Sequence, residues 1–392
     1  MTDDGRVLIA GGGPTGMASA LFLTALGVPV VLFERGAAPH SDPRAATYHP
    51  PSLEMLEASG VTADLQEQGI IARTWQWRDR REGVIAEFDL ALLSDITRFP
   101  YRLQCEQHKL VAMMQKRVAA SPLAEIRQDC EVMDVNQDAS GVTVALREAG
   151  RETTVRGGWL IGADGGRSVV RKSQGIDFSG FTWPERFLVI TTSFDFEPLG
   201  FAFSSYTMDP VEWTATFKIP GEDGRGLWRC VFPTNPQEPE ATLLDFARAA
   251  DRLAGLVPET RNAQIVHTNL YAVHQRVAAR YRSGRVLLAG DAAHVNNPLG
   301  GMGLNFGLHD AHNLAAKLAE VWRGRAAPEL LDRYDRQRRA VAERYLQAQT
   351  IANKQTLEEK DEAKRVERQE DMRRTAADPA RARAYLLRTA MF

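Results

Sequence analysis

A chain of 392 residues can bury a substantial core in two or three lobes, and its 44% apolar and 25% charged content is that of an ordinary globular protein. A formal charge of −2 gives no overall attraction to nucleic acid or to an anionic membrane, so any recognition of phosphate has to be local. Cys105, Cys130 and Cys230 are odd in number and widely spaced, which argues against a disulfide framework or a zinc site and for a reducing, cytoplasmic setting.

At the N-terminus Asp3 and Asp4 stand where a targeting signal would be basic, and Gly27 and Pro29 break the apolar stretch 17–33 into helix, turn and strand instead of a membrane span. Residues 6–10 read as a buried parallel strand, 14–26 as a helix in which Ala18 and Ala20 allow close packing, and 28–33 as the next strand, together a βαβ unit. The first turn of that unit is Gly11-Gly12-Gly13-Pro14-Thr15-Gly16. Gly11 permits the tight turn, Gly13 lets a pyrophosphate approach the backbone, and Gly16 lets helix pack on strand, with phosphates set on the free N–H groups at the helix start. Glu34 ends the second strand with Arg35 beside it, where a carboxylate can accept from a ribose diol.

Helical periodicity follows over 52–58 and 108–121, with extended segments at 85–90 and 102–104. Alternating strands fill 131–155. A buried strand at 159–161 then leads into Gly162-Ala163-Asp164-Gly165, followed by Ser168 and Arg171. Residues 187–232 read as an antiparallel sheet forming a separate lobe, and 236–257 as helix. A strand at 285–289 delivers Gly290-Asp291 and then Pro298-Leu299-Gly300-Gly301-Met302-Gly303-Leu304-Asn305, which opens a long helix over 304–322. Pro328 starts another helix with Leu331, Tyr334, Arg338, Val341 and Tyr345 on one face. Residues 354–374 are so evenly charged, with Asp361/Arg365 and Glu370/Arg374 at i,i+4, that they read as a solvated helix; Asp378-Pro379 caps a last short one.

A protein that bound only NAD would need the first glycine motif alone; the second and third point to FAD held along its whole length. The ordered set of Gly11-x-Gly13-x-x-Gly16, Glu34-Arg35, Asp164-Gly165-x-x-Ser168-x-x-Arg171 and Gly290-Asp291-Ala292-Ala293-His294 resembles the single-component aromatic flavoprotein monooxygenases of the para-hydroxybenzoate hydroxylase type. The expected fold is α/β, a Rossmann-like FAD-binding domain with a parallel sheet, an inserted antiparallel-sheet substrate domain and C-terminal helices. Its expected boundaries are a discontinuous FAD domain over 1–74, 103–181 and 274–350, a substrate lobe over 75–102 and 182–273, and a helical segment over 351–392. The resemblance implies that Asp291 and Gln104 contact the ribityl chain and that Arg44 touches the FAD phosphate and ribityl region. It also implies that the Asp164 segment serves both FAD and the nicotinamide nucleotide. Pro298, Gly301, Gly303, Leu304 and Asn305 suit a wall beside the isoalloxazine, with a helix start directing N–H groups at flavin N1 and O2.

The reaction so implied uses NADH or NADPH to reduce FAD, adds dioxygen at flavin C4a, and passes the distal oxygen of the hydroperoxide to a phenolic or hydroxylated N-heteroaromatic acid. The expected protein is a monomer or homodimer with no nucleic-acid or membrane partner. Catalytic residues are left unassigned; Tyr206, Trp213, Lys218 and Arg229 are pocket candidates by location in the strand-rich lobe. Asp164 reads as orienting its turn and His294 as holding its loop. His309 and His312 have i,i+3 spacing but no accompanying carboxylate or cysteine cluster, so they read as packing residues and no metal is expected. Met302 stands where the family often has glutamine, and Gln337 where it often has glutamate. Trp75-Gln76-Trp77 resembles a halogenase motif but lacks the isoleucine-proline that follows it. Ring-opening or epoxidising chemistry on the same scaffold is the enzymatic alternative, and a non-catalytic FAD-binding sensor the other; the nicotinamide-linked motif argues against the sensor.

Overall fold

The computed structural model describes residues 5–38, 45–222 and 224–392, so Arg44 lies outside the described residues. The first glycine motif sits in a six-stranded sheet ordered Arg282–Ser283, Val286–Leu288, Trp159–Gly162, Val7–Ala10, Val30–Phe33 and Ala124–Arg127. All neighbours are parallel except the two-residue edge strand 282–283. Strands Val7–Ala10, Val30–Phe33 and Trp159–Gly162 are buried at every position, as a parallel sheet covered on both faces requires. The first helix, Pro14–Ala25, packs between helices Gln107–Ala119 and Met302–Trp322. An antiparallel three-stranded sheet over Cys130–Gln137, Val142–Glu148 and Arg151–Gly157 fills the alternating stretch.

The strand-rich region forms an eight-stranded sheet in the order His294–Val295, Ile265–Ala278, Phe178–Thr192, Leu227–Pro233, Thr214–Ile219, Ser204–Met208, Thr74–Asp79 and Gly83–Asp89. Its period-two alternation separates two cores. Leu188, Ile190, Trp228, Cys230 and Phe232 pack toward helix Phe246–Leu256, whereas Phe187, Val189 and Val231 pack with Trp75, Trp77, Phe88, Leu299 and Leu386. A second small sheet, Thr47–Tyr48, Arg102–Gln104 and Ile70–Ala72, meets the loop at 298–301 where Thr47 lies against Gly301. Among the described residues no helix is long and apolar enough to cross a membrane.

The C-terminal third departs from expectation. The stretch 354–374 is not one solvated helix but the end of Ala348–Leu357 and most of Glu362–Ala377. Lys354 is only 2% exposed, paired with Glu185 at 2.6 Å and Glu358 at 2.5 Å, and Gln369 donates to Asp79 at 2.8 Å from a buried position. Gln369 is the one buried residue of Glu362–Ala377, which is otherwise the solvated helix expected; charge density misled at Lys354 and Gln369, whose partners on the sheet sequence spacing does not reveal. Asp361 caps the second helix through Lys364 N–H instead of pairing with Arg365, and Glu370 pairs with Arg373 instead of Arg374. Upstream, the helix Leu330–Val341 opens into a π-helical turn over Ala342–Gln347, which turns Leu346 fully inward and leaves Val341 exposed.

One contact ties the first and third glycine segments together. A Cβ built at Gly290 or at Gly307 would come within 2.3 Å of Thr15 Oγ1, so Thr15 is gripped between a turn and a helix that have no room for a side chain. Gly307→Ala should therefore destabilise the fold by about 1–3 kcal/mol. Removing the obstructing hydroxyl in a Thr15→Ala background should shrink that cost by about 1 kcal/mol or more, as a double-mutant cycle in urea would read it.

Candidate active site

The first glycine motif has the backbone that its spacing predicts. Gly11 has φ +101, and a Cβ there would lie 2.4 Å from the Ala163 carbonyl oxygen; at Gly16 it would lie 1.8 Å from the Gly11 oxygen. Gly13 is different. Its φ of −69 suits any residue and a Cβ there would meet nothing within 4 Å, so no protein neighbour requires glycine. It is the N-cap of helix Pro14–Ala25, which has no side-chain cap and no acidic residue in its first turn. That leaves an open approach to an uncapped, positive helix end, the arrangement that receives a phosphate.

Glu34 is tied back to the same loop, accepting from Gly12 N–H at 2.6 Å on one oxygen and from Gly36 N–H at 2.8 Å on the other, with Arg35 exposed beside it. In the second motif Asp164 accepts from Val169 and Val170 N–H at 2.7 and 3.1 Å, so it orients the start of the short helix Val169–Ser173. Burial raises its carboxyl above the ordinary value, and its other oxygen, buried, has no partner. Arg171 donates to Gly166 and Ala292 carbonyls, both at 2.9 Å, and joins the second motif to the third. There Asp291 is exposed on the turn Gly290–Ala292.

That turn is anchored by a buried ionic cluster. Asp310 accepts from Gly290 N–H at 3.0 Å, is bonded to His294 Nε2 at 2.7 Å, and receives Arg338 Nε at 2.5 Å. Burial alone would push the Asp310 carboxyl up, but the Arg338 guanidinium and then His294 hold it well below the usual carboxylate range. His294 thus holds its loop, while Asp310, which no motif singled out, is the group it holds to. His309 lies over the Phe306 ring and His312 is exposed with its edge against Phe22.

The loop at 298–301 is fixed from several directions, with Pro298 exposed at its start. The helix after it begins at Met302, two residues earlier than expected, because Gly301 takes the left-handed conformation at φ +65 and serves as its N-cap. Its uncapped end is thus formed by the N–H groups of Met302, Gly303 and Leu304, with Asn305 one position further along the first turn. Asn305 is fully buried and commits its side chain to the protein, accepting from His49 N–H at 3.0 Å and donating to the Thr47 and Gly301 carbonyls. His49 Nε2 meets the Gly300 carbonyl at 2.9 Å, and burial followed by the Arg102 charge lowers its pKa to about 3, so the ring is neutral. Gly300 N–H donates to the Tyr206 hydroxyl at 3.0 Å. Gln104 accepts from Thr47 Oγ1 at 2.7 Å, while its buried Nε2 has no partner.

Beside Gly300 lies a narrow cavity bounded by Trp75, Trp77, Arg102, Tyr206, Met302, Tyr385 and Thr389. Side chains divide that space so that it admits roughly one water. Of the four pocket candidates only Tyr206 lines it. Trp213 is buried against Phe187 and faces a separate open hollow with Glu185 and Lys360. Arg229 is buried in the sheet, where burial lowers its pKa to about 10. Lys218 reaches surface Asp195 and Glu197. Arg102, His49 and Tyr385 were not picked out, although Arg102 was within reach: it stands two residues before Gln104 on one strand, hence on the same face.

Residues 4–349 match the sequence profile of a family described as an FAD binding domain. The chain is 34% identical over 384 residues to para-nitrophenol 4-monooxygenase of Pseudomonas sp. strain WBC-3, covering 97% of this chain and 94% of that one. The chain belongs to the single-component FAD-dependent aromatic hydroxylases. The enzyme is also 36% identical over 335 residues to 6-hydroxy-3-succinoylpyridine 3-monooxygenase of Pseudomonas putida, covering 85% of this chain and 84% of the relative. The crystal structure of p-nitrophenol 4-monooxygenase from Pseudomonas putida DLL-E4 superimposes with a TM-score of 0.93 at 32% identity, covering 99% of this chain and 98% of that one.

Arg338→Met would strand Asp310 and His294 in the interior and should cost the enzyme about 3–5 kcal/mol in urea denaturation. Because the folded Asp310 pKa is depressed, its pairing stabilises the fold above the unfolded carboxylate pKa of about 3.9 and is lost as pH falls through the folded value. The gap between wild type and R338M should therefore be widest near neutrality and narrow below about pH 4.

Proposed function

We infer that the enzyme uses NAD(P)H and dioxygen to hydroxylate a phenolic or hydroxylated N-heteroaromatic acid. The observation that carries the reading is the convergence of the three glycine segments on one uncapped helix start, where Gly13 leaves open space that no protein atom uses. In this reading the FAD pyrophosphate lies on the N–H groups after Pro14, including those of Thr15 and Gly16, and Glu34 takes the ribose. Gln104 and Asp291 serve the ribityl chain. The unpartnered Gln104 Nε2 supplies a donor ready for a hydroxyl oxygen.

At the start of the 302–322 helix the N–H groups of Met302, Gly303 and Leu304 would hold the pyrimidine edge of the flavin and favour negative charge there. Asn305 acts by fixing the 47–49 segment to the loop. When bound, FAD accepts a hydride from NAD(P)H and activates dioxygen. The chain's own residues would exclude water through the aromatic walls Trp75, Trp77 and Tyr385, and the substrate ring would lie beside Gly300 once these side chains move apart to widen a space that now admits about one water. By their names, two relatives act on a phenol and on a hydroxylated pyridine, which supports a phenolic or hydroxylated N-heteroaromatic ring as substrate. We place the enzyme in the cytoplasm as a monomer or homodimer, a setting that its three unpaired, buried cysteines suit.

FAD-loaded protein supplied with NADH or NADPH and a panel of phenols, phenolic acids and hydroxypyridines should show faster flavin reduction with at least one compound and a product heavier by one oxygen. A product heavier by two oxygens and lacking aromatic absorbance would move the assignment to ring opening. Tight FAD with no stimulation by any compound would support a sensor. Gln104→Leu should weaken FAD binding about tenfold with little change in thermal stability, measured by flavin fluorescence on titration.

A further inference from the structure

We propose that Arg102 is the counter-ion for a single oxyanion on the aromatic substrate, a phenolate or a ring carboxylate. The inference rests on the hydroxylase reading above and names the feature of the substrate that this site selects. Arg102 is 3% exposed, and among the described residues no carboxylate pairs with it. Its contacts are a 3.4 Å hydrogen bond to Ser204 Oγ and the face of Trp75 at 4.6 Å, and its Nε is buried without a partner. The ionisable groups that feel its charge are the phenols of Tyr206, Tyr345 and Tyr385 and the neutral imidazole of His49. A guanidinium desolvated in this way destabilises the fold unless an anion reaches it.

The cavity brings such an anion to the right place. Arg102 lines it together with Tyr206, whose hydroxyl accepts from Gly300 N–H and keeps its own proton free to donate. Trp75, Trp77 and Tyr385 give it flat walls that suit a planar ring, and because the space now admits about one water, a ring enters only as these side chains move apart. One cation balances one negative charge, so the buried end of the ligand carries a single oxyanion; a phenolate there would also make the ring more electron-rich for oxygen transfer, whereas a carboxylate would serve for anchoring alone.

The test uses FAD-loaded protein and follows flavin absorbance during titration with 4-nitrophenolate, benzoate and their neutral counterparts nitrobenzene and benzamide. Wild type should favour the anions. Arg102→Gln should lose about 100-fold on the anion it recognises and less than about threefold on the neutral compounds, and Arg102→Lys should recover part of the loss. Whichever of 4-nitrophenolate and benzoate loses more identifies the oxyanion. Arg102→Met should keep or raise Tm, since it removes an unpaired buried charge, whereas an arginine with a structural role would lower it. Equal charge preference in wild type and R102Q, or an R102Q protein that emerges without FAD, would overturn the proposal. Binding that ignores charge in wild type removes this inference alone; FAD-loaded wild type that binds none of the four compounds removes the aromatic-substrate reading with it.

Discussion

A carboxylate cut off from water holds the cofactor end of this molecule together. Asp310 gathers the Gly290 amide, the His294 ring and the Arg338 guanidinium, which come from a turn, a short strand and a separate helix. Each alone would be costly to bury; together they satisfy one another. The turn they fix presses Gly290 against Thr15, and Gly307 on the Asp310 helix presses from the other side. The geometry of the first glycine loop therefore depends on charges more than 270 residues further along the chain.

The loop at 298–301 shows the same economy at the other end of the site. Its carbonyl at Gly300 meets His49, its amide meets Tyr206, and Leu299 packs into the core of the large sheet. A loop held from the small sheet, the large sheet and the C-terminal helices leaves little freedom to a ring packed against it. Hydrogen bonding by Asn297 and Asn353 to the same segment adds to this rigidity.

The glycine motifs, the βαβ unit and the antiparallel lobe were legible because their signals are local: a turn needs φ +101 at Gly11, and buried strands read as short apolar runs. The wall of the cavity was not, because it is assembled from residues whose partners lie far away. Tyr385 reaches Trp77 across 308 positions, and Lys354, at the head of an evenly charged stretch, meets Glu185 on the large sheet. Asn305 illustrates a subtler gap. Its place in the motif was visible, but only the fold reveals that its amide is spent on Thr47, His49 and Gly301.

The strand Arg102–Gln104 is three residues long and has Leu103 sealed in the main core. Its two polar neighbours consequently emerge on the opposite side about 7 Å apart, Gln104 as the proposed ribityl contact and Arg102 in the cavity. A slip of one position would plunge the guanidinium into aliphatic packing and expose the leucine. With the roles proposed for Arg102 and Gln104, mutational drift in what this protein accepts would be tethered to its grip on the yellow coenzyme, and new specificities would arise more readily from the helices overhead than from this ribbon.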